Sequence, residues 1–78
     1  MDILRQALVH MRAGRWDEAH TLVQSDESAP AAWLHGILHI QEGDLENARY
    51  WYGRAARDFG GRGAVEDELT RFEAGLPR

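Results

Sequence analysis

The sequence predicts an all-α domain, and three observations carry that expectation. Helix formers dominate, with eleven Ala and abundant Leu, Glu and Arg, while β-branched residues are few. No stretch keeps the apolar/polar alternation that a half-buried strand requires. Gly, Pro, Ser and Asp then cut the 78 residues into segments of helical length. A chain this short holds a single domain, here residues 1–78, and must bury everything in one core. It has no Cys, so disulfide scaffolds and thiolate zinc fingers are excluded.

Five helices follow from the punctuation, and each has its own signals. The first, about 2–13, places Leu4, Leu8 and Met11 on one face and closes at Gly14. The second, about 16–24, spaces Trp16, Ala19 and Val23 the same way. Ser28 and Pro30 open the third, about 30–42; Gly43 closes it, and Asp44 caps the fourth, about 45–58. Gly60-Gly61-Arg62-Gly63 reads as a flexible hinge that ends the fourth. The last, about 64–74, carries Glu66 and Asp67 in its first turn and Arg71 near its end, with Gly75 and Pro77 as stop signals. Short connections make 2–24 and 30–58 two helical hairpins, and 64–74 becomes a capping helix. Trp16, Ala19, Leu45, Ala48, Tyr52, Ala55 and Phe72 are expected to be largely buried.

Sliding the chain by 29 residues superposes the two hairpins. His10 falls on His39, Gly14 on Gly43 and Ala19 on Ala48; Ala7 pairs with Gly36, Leu8 with Ile37, and Trp16 with Leu45. Small residues at 7/36 and 19/48 permit close helix approach, and Gly at 14/43 supplies the turn. This order resembles the tetratricopeptide helical hairpin, most clearly in Gly36, Gly43, Leu45, Ala48, Tyr52 and Ala55. The period of 29 is shorter than the ~34 of that repeat, and Trp33 sits one position late. More narrowly, Ala19-His20, Ala32-Trp33-x-His35, Leu38-His39, Glu42-Gly43-Asp44 and Asn47 to Tyr52 with Arg54-Ala55 are similar to a family of small bacterial tetratricopeptide-repeat-like (TPR-like) proteins without an assigned activity. Gly53 departs from that pattern, where a longer polar residue is expected. The resemblance covers about half of the chain and implies the fold; it leaves function open.

Chemistry has few footholds. His35, His39 and Glu42 stand at i, i+4 and i+7 of one helix, a spacing that lets two imidazoles and a carboxylate reach one zinc ion, and His20 is a further candidate ligand. The position after His35 is Gly36, where a metalloprotease places its Glu base, so no hydrolytic chemistry is expected. The favoured expectation is that His35 and His39 are hydrogen-bonded within the hairpin, with no stoichiometric metal and no cofactor. Ser25 and Ser28 have turn and cap roles, and no phosphate loop or nucleophile arrangement stands out, so an enzyme is not expected. Asn47, Tyr50, Arg54 and Arg57 share a helix face able to clamp a carboxylate, although a solvated face accounts for them more simply.

The leading functional expectation is a protein-protein interaction module. Leu4, Leu8 and Met11 on the first helix, and Trp33, Ile37 and Ile40 on the third, form two equivalent apolar wedges. In the repeat mapping they face a groove that would hold a peptide, a partner helix or a second copy, with His35 and His39 paired inside the hairpin; with the register shifted, the same wedges are ordinary core, and the local pattern does not separate the two. A metal- or ligand-binding protein using His35, His39, Glu42 and His20 is the alternative, and a purely structural subunit the third reading. The net charge is −4, with Arg as every basic residue, which argues against nucleic acid. No apolar run approaches the ~20 residues of a membrane span, and Met1, Asp2 and Arg5 break any signal-peptide core, so a cytoplasmic protein is expected.

Overall fold

The computed structural model describes residues 2–76, and all its regular elements are helices: α1 (Ile3–Arg12), α2 (Trp16–Gln24), α3 (Ala29–Glu42), α4 (Leu45–Arg54) and α5 (Val65–Ala74). Pro77, read as a stop signal, lies outside the described residues. α1 with α2 and α3 with α4 form the two hairpins, α2 lies against α3, and α5 docks on α3 and α1. Among the described residues, no helix is long and apolar enough to cross a membrane.

Helix ends follow the sequence signals where a signal exists. Asp2, Ser28 and Asp44 cap α1, α3 and α4 by accepting from the backbone N–H groups of Leu4, Ala31 and Asn47. Gly14 and Gly43 take left-handed φ values of 78° and 86°, and just beyond them Arg15 N–H and Asp44 N–H bond back to His10 O and His39 O. The same closure ends α4, where Arg57 N–H reaches Tyr52 O at 2.9 Å, but the left-handed residue there is Ala56, with φ 57°. α4 therefore stops at Arg54, four residues before the expected end at 58. Ala56→Gly is expected to stabilise the fold by about 1 kcal/mol, read from a urea midpoint, because only glycine adopts that conformation without strain.

α3 is the central helix, buried continuously from Ala31 to His39. Small residues mark the close contacts of the bundle: Ala7, Ala19 and Ala48 are fully buried, and Gly36 of α3 lies directly against the Tyr52 ring and the Ala48 carbonyl of α4. The wedges are not a bare groove of α1 and α3, although Leu4 and Trp33 line an open cavity of about 410 Å3 together with Phe72 and Leu76. Leu4, Leu8, Met11, Trp33 and Ile37 are buried in the chain's own core, and Ile40 packs against it half-buried. The reason is α5, which lies across α3 and α1 and sets Phe72 edge-on to Trp33 with ring centroids 5.4 Å apart. The cap thus covers most of that face. Leu45 is also corrected, being 48% exposed at the first position of α4, whereas Trp16 and Ala55 are half-buried. Ala19, Ala48, Tyr52 and Phe72 are buried as expected.

One buried carboxylate ties the cap in place. Glu68 of α5 accepts from Tyr52 Oη at 2.6 Å, from Gly63 N–H at 3.3 Å and from Arg71 at 2.9 Å, so the glycine run is anchored at Gly63. The buried Trp33 Nε1 makes no hydrogen bond of standard geometry, but its N–H dipole adds to the field on this carboxylate. Burial works to raise the Glu68 pKa; the Tyr52, Gly63 and Trp33 donors and the Arg71 charge outweigh it and hold the value below 4.5. Because the folded-state pKa is depressed, this stabilisation is present above the unfolded value and is lost as pH falls through the folded one. Glu68→Gln is expected to lower stability at neutral pH and to flatten its dependence below about pH 4.5, as measured by urea midpoints across that range.

Candidate functional site

Three of the four histidines converge where α2 meets α3. His20 comes from α2, and His35 and His39 come from the buried face of α3, one turn apart. His20 Nε2 stands 3.0 Å from His35 Nε2, so one neutral imidazole donates its proton to the other. His39 Nδ1 pairs with Glu42 Oε1 at 2.5 Å. Each histidine offers a ring nitrogen within 4.8 Å of those of the other two. The expected hydrogen bonding is present, but the His35 partner lies in the neighbouring hairpin.

Two indoles wall the cluster. Trp16 stacks on His20 at 4.6 Å and meets His39 edge-on at 5.8 Å, while its Nε1–H is spent on the Leu38 carbonyl at 2.7 Å. Trp51 of α4 stacks on His35 at 3.9 Å with the rings only 12° from parallel. The imidazoles are therefore fixed in orientation by packing as well as by hydrogen bonds. His35 and His39 are buried, His20 is half-buried, and a cavity of about 230 Å3 opens against His35, so the cluster remains reachable from solvent.

The electrostatics favour neutral rings. Burial, reinforced by His20 and His39 alongside, pushes the His35 pKa down to about 4. His20 is lowered by burial and then by His39, against an opposing pull from Glu42 and Asp17. At neutral pH these nitrogens hold lone pairs, which a hydrogen-bonded core needs only in part and a metal ion needs entirely.

The sequence placed His35, His39, Glu42 and His20 together, and the structure brings them together with Glu42 behind His39. It does not assemble the carboxylate clamp. Asn47 is turned to the Asp44 cap, Arg57 lies over the Trp33 ring at 3.4 Å, and only Tyr50 and Arg54 bond to each other, at 2.9 Å. Trp16 and Trp51 were not read as part of the site; the one available signal was Trp16 and His20 at i, i+4 on a single helix. No protein-family profile, curated protein or solved structure matches the chain.

Proposed function

We propose that the chain is a metal-binding helical protein that holds a divalent transition ion on His20, His35 and His39. The observation that carries this reading is the convergence of three ring nitrogens within 4.8 Å. A tetrahedral zinc with nitrogens at about 2.0–2.1 Å sets them about 3.3 Å apart, so the His20 to His35 pair is nearly at coordination distance and His39 has a short way to close. Binding requires only that one imidazole move its proton from Nε2 to Nδ1. Three imidazoles without a thiolate suit zinc, copper or nickel better than calcium or magnesium.

Glu42 has the outer role. A carboxylate on the far nitrogen of a ligating histidine fixes its tautomer and raises its basicity. Three protein ligands leave one position for water, and Glu42 is already committed to His39. The reading is therefore binding without catalysis. Calorimetric titration of the metal-free protein with zinc chloride tests it, with about one equivalent expected per chain. Glu42→Gln, at an exposed position, is expected to weaken that affinity about 10–100-fold while leaving the fold intact. Absence of saturable binding in the wild type would refute the proposal.

A further inference from the structure

We infer that the cup where α1, α3 and α5 meet the end of α4 binds a small apolar carboxylate, its hydrocarbon body against Trp33 and its carboxylate on Arg57. The inference is independent of the metal site. The cup encloses about 410 Å3, within the size range of small-molecule sites. Leu4, Trp33 and Phe72 are buried and make its floor, while Pro30, Ala55 and Leu76 make more exposed walls. Trp33 and Phe72 already pack edge-on against each other, so the floor is preformed.

Two charged residues line the cup. Arg57 lies 3.4 Å over the Trp33 ring and, among the described residues, has no carboxylate partner; salt bridges form elsewhere, at Arg12 with Glu73 and at Arg71 with Glu68. Stacking uses the face of the guanidinium and leaves its in-plane N–H donors for an anion. Asp2, the acid of the lining, is turned to its own helix, accepting from Leu4 N–H at 3.1 Å. The backbone holds Arg57 in place at a cost. Ala56 takes its left-handed φ of 57° where Arg57 N–H closes on Tyr52 O, and strained residues of this kind collect at ligand clamps.

Charge and shape select the occupant. A ligand in the cup removes water from the Arg57 donors, so a purely apolar body leaves them short of an acceptor, whereas a carboxylate replaces what is lost. A cationic ligand meets Arg57 with like charge. A second copy packed cup to cup on a two-fold axis sets one Arg57 near the other, which is repulsive. The lining comes from the ends of four helices and not from the length of one, which suits a small molecule better than an extended or helical segment.

Titration of the isotope-labelled, metal-free protein with octanoate, followed by NMR, tests the inference. Saturable shifts at Leu4, Trp33, Arg57 and Leu76 are expected, with a dissociation constant of about 1 mM or below. Octanamide, which keeps the chain and loses the charge, should bind at least about fivefold more weakly; in Arg57→Gln the two should bind within about twofold of each other. Ala29→Phe, at an exposed position of the rim, should weaken octanoate at least about tenfold by filling the cup. No saturable shift up to about 10 mM, octanamide or octylammonium binding as tightly as octanoate, a preference for octanoate that survives Arg57→Gln, affinity untouched by Ala29→Phe, or concentration-dependent shifts of these same residues without ligand would each overturn it.

Discussion

Gly36→Leu is expected to remove a third or more of the stability of the fold. The α-carbon of Gly36 faces the Tyr52 ring so closely that an added Cβ would lie 2.5 Å from Cδ1 and 2.8 Å from Cε1, with the Ala48 carbonyl at 3.3 Å. Tyr52 has little freedom to yield. It is 1% exposed, its ring packs edge-on to Phe59, and its hydroxyl is bonded to Glu68. Overpacking costs about 1–3 kcal/mol, and displacing the ring leaves the Glu68 carboxylate short of a donor at about 1–3 kcal/mol more. A domain of this size has about 4–12 kcal/mol in total, so a loss of about 4 kcal/mol removes a third of it or more. Gly36→Ala distinguishes packing from propensity. Alanine gains about 1 kcal/mol as a helix former, but the Cβ contact outweighs this, and a net destabilisation is expected by urea titration.

Zinc at about a hundred times its dissociation constant is expected to raise the melting temperature of the wild type by about 10–20 °C. That saturation contributes about 2.7 kcal/mol to the folded state, and each kcal/mol shifts a domain of this size by about 4–8 °C. His35→Ala with His39→Ala should abolish the shift, since both ligands of α3 are gone. His20→Ala is the gentler control: His20 is half-buried, so the apo fold survives its loss while the ion loses its α2 ligand. Differential scanning calorimetry with and without zinc reads all three proteins. Because Trp16 and Trp51 stack on His20 and His35, indole fluorescence should change with zinc in the wild type and stay constant in the double variant.

The legible parts of the fold were those with a local physical cause. Gly14 and Gly43 close their helices in the same left-handed conformation, and Ala7 with Gly36 and Ala19 with Ala48 are buried in pairs, as the 29-residue repeat implied. Other repeat pairs diverge: Trp16 packs on the histidines while its counterpart Leu45 is exposed, and His39 is buried while His10 accepts from Arg15 at the α1 turn. The end of α4 was invisible because Ala56 occupies a glycine conformation without a glycine. The wedges illustrate a different gap. Periodicity identifies an apolar face but not what covers it, and here the cover is α5, joined through a segment with no regular pattern. In the site, the i, i+4 pair and Glu42 were legible on one helix; the place of His20 depended on how α2 meets α3, which spacing within a helix does not encode.

X-ray absorption at the zinc edge of the zinc-loaded protein tests the three-histidine centre most directly. The expected spectrum contains about three imidazole nitrogens at about 2.0 Å with one oxygen donor, and one imidazole fewer in His20→Ala. A wild-type spectrum with an oxygen-only first shell, or one that His20→Ala leaves unchanged, would contradict it.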